Sequence, residues 1–495
     1  MKNTIHHTIT THRSGKILVL VAISLPALMA VVGVFTNSMT GFKASLDLQH
    51  VSDAAALAAA KVIRDNEGTI AAAAQSVLAD HNLTSTVACV VTRPPTTGPY
   101  ASNQNYVEVT LTSSRAAMFS RFMSHGNTVN YCVRSVAGVE KETTDVALHI
   151  LDKNPAQLSV LGISGLLPSL PALLGGLEVL GLGSVRVDGS VIVNTKWSGE
   201  DALGEKVGEY GNLPLLQHAV SCTPLLALTR FRADQIWVTG GVDRKENYGP
   251  CSGDDHPLIA NQCPVDDPFE DLPVPTSSVD PTNINSTYRG SVTVVSLPIL
   301  LPPVVLRPGI YDSINIVAGR VRFEPGIYII RSTNLLVGAG LVIAAGQVEA
   351  NGVMFYITDS ASYHPSNGSP DSHDANVDPH HPGALSVLPS VVINAAVLNS
   401  SYTGLNDPSS PFHGMLIYQR RHDRRPIVIL KQDLLLSDST FEGTIYSKWG
   451  HVILSGQGQF NTAIAAGSVR LLTVTQTNIS PSRKLPAARN ITLVE

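Results

Sequence analysis

The chain opens on a polar stretch and then turns apolar. Residues Ile17 to Phe35 (ILVLVAISLPALMAVVGVF) run 19 positions without a charge, and the next charge is Lys43. A helix rises about 1.5 Å per residue, so roughly 20 residues cross a hydrocarbon core. Lys2, Arg13 and Lys16 precede the stretch. Positive residues stay on the cytoplasmic side, which predicts the amino end inside and the rest outside. Pro26 falls mid-span, a position that membrane helices tolerate. Two readings fit: an uncleaved anchor over 17–35, or a cleaved signal, whose apolar region is normally shorter, with Thr36-Asn37-Ser38 as a weak cleavage site. In both, the remainder is exported.

Beyond the span, Leu48, Val51, Ala55, Ala58 and Val62 are spaced 3, 4, 3, 4, a helical packing seam. Asp53 to Lys61 (DAAALAAAK) is dense in the best helix former. Asp65-Asn66-Glu67-Gly68 ends the pattern, and Thr69 is placed to cap a second helix through Ala79. The seam serves either packing within its own domain or a helix of another membrane subunit.

Residues 83–144 read as strand, loop, strand, helix, strand: Ser85–Thr92, Tyr106–Thr112, a short helix over Ser114–Ser124, and Thr128–Val139. Cys89 and Cys132 fall on the first and last strands, where they either pair as a disulfide or stay as buried thiols. From about residue 145, short apolar runs alternate with Gly, Pro, Asn and Ser. Leu306-Arg307-Pro308-Gly309-Ile310-Tyr311 returns seventeen residues later as Phe323-Glu324-Pro325-Gly326-Ile327-Tyr328. Short strands at regular spacing with glycine corners suit a solenoid, in which stacked coils bury a continuous core. The uncharged stretch Asn154 to Leu177 holds Pro155, Pro168 and Pro171 and reads as non-helical.

Composition narrows the function classes. Charged residues are 15% of the 495, too few for a coiled-coil rod or an acidic disordered chain, and the net charge of −5 leaves no polycation for nucleic acid. Five cysteines without a C-x-x-C pair write no zinc ribbon and no thioredoxin-type site. Cys222, Cys251 and Cys263 flank an Asp/Pro/Gly-rich loop where one disulfide is expected.

The Gly-bearing tail, the single span with a central proline, and Leu48-Gln49 followed by Asp53-Ala54-Ala55-Ala56-Leu57-Ala58 resemble the TadE/TadG-like proteins of bacterial Flp (tight-adherence) pilus assembly, over roughly residues 13–62. The resemblance implies an inner-membrane, pilin-like protein whose bulk lies outside the membrane. The glutamate that pseudopilins of this system carry shortly after the processed glycine is absent after Gly15 (Lys16-Ile17-Leu18-Val19-Leu20). The metal-ion-dependent adhesion motif of some members is also absent: Asp145-Val146-Ala147-Leu148-His149 lacks the two serines. Gly352-Val353-Met354-Phe355-Tyr356-Ile357 and Gly443-Thr444-Ile445-Tyr446 are similar to the β-helical exported half of some TadG-like proteins.

Three segments carry residue types suited to chemistry. Tyr363 to Gly383 gathers His364, His373, Asp374, His380 and His381, residue types that ligate zinc-like ions. No fixed spacing holds them in a tetrahedron, so a solvated insertion is the favoured reading, with no metal and no cofactor. Arg420-Arg421-His422-Asp423-Arg424-Arg425 reads as an exposed corner with Asp423 paired internally, or as a grip for an acidic glycan, lipid or partner. Asp433 and Asp438 have no acidic neighbour that sequence can place beside them, and hydrolase and phosphate-loop motifs are missing.

The expected fold is mainly β. A cytoplasmic tail (1–16), a transmembrane helix (17–35) and an exported helical segment (36–82) lead to a small α+β pilin-like domain (83–144). A right-handed parallel β-helix (145–480) and a tail (481–495) follow, with a β-sandwich as the alternative for the body. The expected role is non-catalytic: assembly or anchoring of a Flp-type pilus or related surface structure, with the inner membrane, other pilus-assembly membrane proteins and a surface glycan as partners. The rival is an exported β-helix adhesin or carbohydrate-active enzyme acting on acidic glycan.

Overall fold

The computed structural model describes the chain except residues 1–13, 66–67, 117–127, 143–144, 156–157, 161–174, 211–216, 225–230, 296–301, 333–338, 369–384, 396–397, 433–437, 487 and 495. Two units are resolved by their internal contacts: residues 1–141 with 489–495, and residues 142–488.

In the first unit, the apolar stretch and the alanine-rich seam are one helix, α1 (Ser14–Asp65), of 52 residues. Thr36 and Thr40 do not break it, because their hydroxyls donate back to the carbonyls of Val32 (2.8 Å) and Thr36 (2.9 Å). Among the described residues no helix is long and apolar enough to cross a membrane. The stretch 17–35 itself includes positions whose side chains lie outside the described ones. Past the end of α1, Gly68 sits at φ +83°, a conformation that disfavours side chains. Thr69 then caps α2 (Ile70–Asp80), its Oγ1 accepting from the Ala72 N–H at 3.3 Å.

The helices pack on a four-stranded sheet of β1 (Val87–Thr92), β2 (Tyr106–Ala116), β3 (Thr128–Glu142) and the strand Ala488–Leu493. β2 runs antiparallel to both of its neighbours. Ser114–Ala116, expected to start a helix, instead continue β2; the rest of that segment lies outside the described residues. The 481–495 segment, read as a tail, supplies the fourth strand. Tyr106 lies opposite Gly138, and its ring occupies the space a side chain there would need: a Cβ would come within 2.2 Å of it.

The five seam positions differ in burial. Leu48, Val51 and Ala55 are buried in the first unit's core, but Ala58 and Val62 are only half-buried. Ala56, Ala59 and Ala60 are buried in their place. A 3-4-3-4 count assumes 3.5 residues per turn, while a straight helix has 3.6, so the buried stripe drifts off the counted positions.

The second unit is mainly β. It carries a 20-stranded sheet, and every pairing recorded within it is parallel. A β-sandwich would pair antiparallel. Successive passes of the chain lie on one another in three rows. The first joins Gly326–Ile330, Val353–Ile357, Met415–Gln419 and residues 444–446. The second joins Leu341–Ile343, Val391–Asn394, Ile427–Gln432 and residues 452–457. The third joins Val304–Leu306, Arg320–Phe323, Gln347–Ala350, Ser401–Thr403 and residues 440–442.

The seventeen-residue repeat is one such pass: Leu306 pairs with Phe323. Past the Pro-Gly corner the register slips, and Gly309 pairs with Tyr328. In each copy the tyrosine closes its corner, Tyr311 donating to the Arg307 carbonyl (2.6 Å) and Tyr328 to that of Glu324 (2.9 Å).

The spatial order of the passes is not the chain order. Val146–Ile150, Gly175–Gly181 and Ser184–Val193 start the unit, and His218–Pro224, Phe231–Val238, Tyr248–Pro250 and Leu258–Ile259 build on one side of them. Their other side receives the last pass: Ile464–Ala466 pair with Leu148–Ile150, Val469–Thr473 with Leu177–Gly181, and Gln476–Ile479 with Ser184–Val187. Between the two groups, residues 264–287 run as a strap across the first row. Val265 N–H donates to Asn194 (2.8 Å), Tyr363 Oη donates to the Pro275 carbonyl (2.6 Å), Ile327 N–H donates to the Asn283 carbonyl (3.0 Å), and Ile310 N–H donates to that of Thr287 (2.9 Å). The strap buries Phe269 and Ile284 against Ile327, Ile329, Met354, Tyr356, Tyr418 and Tyr446, so the first row is covered on both faces.

Candidate functional site

Two constellations stand out. The first docks α1 on its sheet. Ser135 on β3 places its Oγ 2.7 Å from Asp53 Oδ1 and 2.7 Å from Ser52 Oγ. Gln49 Nε2 donates to Asp53 Oδ1 (2.8 Å) and to Ser135 Oγ (2.9 Å), and Ser52 Oγ donates to the Val109 carbonyl (3.3 Å). Gln49, Ser52 and Asp53 lie within one turn of the helix and face the sheet together. Ala55, Ala56, Ala59 and Ala60 continue the contact, their small side chains letting the backbones approach. Toward the amino end the large apolar side chains described on the same helix stand exposed. Ile23, Met29, Val31, Phe35, Met39 and Phe42 are 64–71% exposed.

The second constellation lies under the strap. Tyr446 Oη donates to Asp267 Oδ2 (2.7 Å) and accepts from Arg421 Nε (3.0 Å). Arg421 also donates to the strap carbonyls of Phe269 (2.8 Å) and Leu272 (2.7 Å), and Lys448 Nζ lies 3.4 Å from Asp267 Oδ2. All four side chains are buried. Burial pushes the Lys448 pKa down, against the pull of Asp267. Burial also works against the Arg421 charge, but Tyr446, Tyr418 and Asp267 raise its pKa above the ordinary value. His149, fully buried beside them, is pushed down to about 4 by desolvation, with Asp267 and an Asn194 contact (3.4 Å) opposing. This grouping clamps the strap to the first row; its functional atoms point at protein, not at solvent.

The arginine run is therefore no exposed corner. Arg421 holds the strap, Arg425 is paired with buried Asp423 (2.6 Å), and Arg420 bonds Asp359 (2.5 Å). Of the residues considered for an ion, His364 is in a turn, its Nδ1 2.7 Å from Ser366 Oγ; His373, Asp374, His380 and His381 lie outside the described residues. Among the described residues no group of three or more His, Cys, Asp or Glu is placed to hold a metal ion.

None of the five cysteines is in a disulfide. Cys89 pairs with Leu111, while Cys132 pairs with Thr112, so β2 lies between them. Adjacent positions along a strand face opposite sides, which puts the two thiols on opposite faces of the sheet. The disulfide expected among Cys222, Cys251 and Cys263 is likewise not formed; Cys222 is buried and its pKa is pushed up to about 12 by desolvation.

The helix with the docked polar group is also where the chain meets known proteins. Residues 15–62 match the family model Tad, Flp pilus-assembly TadE/G-like. The match covers about a tenth of the chain and ends before the Asp65 terminus of α1. Comparison with curated proteins and with solved structures gave no match. The TadE/G-like segment contains both features of α1: the exposed apolar length, and Gln49, Ser52 and Asp53. Sequence reading found the Asp53 box as a motif but missed its partner. Ser135 is a lone serine among strand residues, and only the register of β3 brings it to the helix.

Proposed function

We propose that the protein is a membrane-anchored, non-catalytic TadG-like structural component for assembling or anchoring a Flp-type pilus or a related surface structure. In this reading residues 17–35 cross the inner membrane once. The amino end is cytoplasmic, and the bulk is periplasmic or extracellular. Residues 145–480 form a right-handed parallel β-helix that presents a long passive surface to other pilus-assembly membrane proteins and to surface glycan, with no role for nucleic acid.

One observation carries the reading: the exposed apolar surface of α1 within the TadE/G-like segment. At 3.6 residues per turn, Ile23, Met29 and Val31 point in three different directions, and each is more than two-thirds exposed. A helix apolar on all sides needs a core or a bilayer around it. The three parallel rows, each pass pairing only with its neighbours, support the β-helix.

The enzyme or adhesin reading has no comparable support among the described residues. The cluster that unites cations, aromatics and a carboxylate is closed under residues 265–272.

Fractionation tests the proposal. The full chain should sediment with membranes, resist alkaline carbonate and be released by detergent. Protease added to spheroplasts should degrade the bulk of the chain. Recovery in the soluble fraction, or protection of the bulk in intact spheroplasts, would overturn it.

A further inference from the structure

Among the described residues of the second unit, the strands at both ends of the parallel stack are paired on one side only. At the lower end, Tyr288–Val295 pairs only with Gly309–Ala318, and Val304–Leu306 only with Arg320–Phe323, among the described residues. Their outer edges carry unused backbone groups, and Val295 (65%), Val304 (38%) and Val305 (43%) stand exposed beside them. At the upper end, Tyr248–Pro250 and Leu258–Ile259 pair on one side only, with Phe231–Val238. A bare edge with exposed valines is a template for another strand.

We propose that the occupant is a second copy of this chain, added head to tail: the lower end of one copy seats on the upper end of the next. Three observations favour this partner over an unrelated one. The two ends are built alike, since each finishes in two short strands paired on one side among the described residues: Tyr288–Val295 and Val304–Leu306 below, Tyr248–Pro250 and Leu258–Ile259 above. The ends are complementary in charge. Residues 281–324 hold Arg289, Arg307, Arg320 and Arg322 against Asp312 and Glu324, the latter paired with Arg307, a net of 4 − 2 = +2; residues 239–262 hold Arg244 and Lys245 against Asp243, Glu246, Asp254 and Asp255, a net of 2 − 4 = −2. The chain also makes this kind of joint within itself, where its last pass seats in parallel on residues 146–187. An interface between different surfaces that does not close on itself propagates as an open chain. The inference stands apart from the anchoring role.

The test uses the full chain in detergent, with mass measured by light scattering over a dilution series. The wild type should grow with concentration beyond a dimer. Val305→Lys, blocking the lower end, and Ile259→Lys, blocking the upper, should each weaken self-association by roughly tenfold or more while keeping the wild-type circular dichroism and melting temperature. Mixed in equal amounts, the two variants should form pairs and nothing larger, because each retains one working end. A wild type that stays monomeric, a wild type that stops at dimers, or a mass unaltered by either substitution would overturn the proposal. The last result would assign the association to the apolar helix instead.

Discussion

The hydroxyl of Tyr446 donates to the carboxylate of Asp267 at 2.7 Å across a sequence separation of 179 residues. That bond ties the strap to the row of strands beneath it, and Arg421 and Lys448 converge on the same pair.

Removing the carboxylate should loosen the strap. Asp267→Ala takes the acceptor from Tyr446 and the counter-ion from buried Lys448, and should cost about 3–5 kcal/mol, the range for breaking a buried ion pair. Tyr446→Phe keeps the ring packing and should cost about 1–2 kcal/mol. Thermal unfolding gives the cost, and limited proteolysis should show new cleavage within residues 264–287. An unchanged melt together with an unchanged digest would refute the clamp.

The docking of α1 can be tested at one atom. Ser135→Ala removes the hydroxyl that meets Asp53, Ser52 and Gln49, and should destabilise the first unit by about 1–3 kcal/mol. Hydrogen exchange should speed up at residues 48–56 and along β3 while the second unit keeps its protection. Equal exchange in both proteins would show the contact to be idle.

Acid should weaken the second unit through His149. Its folded pKa is about 4, against about 6.5 unfolded. Between those values the unfolded chain binds the proton and the folded one does not, so stability falls as pH drops from 6.5 to 4 and is level above 6.5. The loss from this group is about 3 kcal/mol. His149→Gln should flatten the slope of melting temperature against pH in that window; a slope equal to wild type would rule His149 out as its source.

The cysteines give a chemical count. Unfolded without reductant, the chain should react with five equivalents of a thiol reagent, and Cys89→Ser or Cys132→Ser should leave stability within about 0.5 kcal/mol. A count of three, restored to five by reductant, would show a disulfide that this structure does not contain.

How far the sequence led depended on whether the physics was local. Glycine and proline corners marked the strands, and the Pro-Gly-Ile-Tyr repeat marked one full pass, because both are set by neighbouring residues. Gly326–Ile330, Val353–Ile357 and Met415–Gln419 read as unbroken apolar runs without alternation, which is what burial on both faces produces. The cover itself was hidden. The strap sequence is rich in Asp and Pro and reads as a loop, since its clamp bonds to Arg421 and Tyr446 span 149 to 179 positions. Arg421 was misplaced for the same reason: its partners are backbone carbonyls, which carry no sequence signature. The thiol pair failed on register, which strand spacing alone does not specify.

The joint between the first and last passes has a consequence for synthesis. Its ion pair, Arg470 with Glu178, is almost wholly enclosed and spans 292 residues. Glu178 therefore waits for this cation until residue 470 has left the ribosome. A product stopped short of Arg470 leaves the 148–187 edge of the ladder unpaired and deprives Glu178 of this cation. The seam thus makes the folding of the first pass depend on the synthesis of a pass almost three hundred residues later.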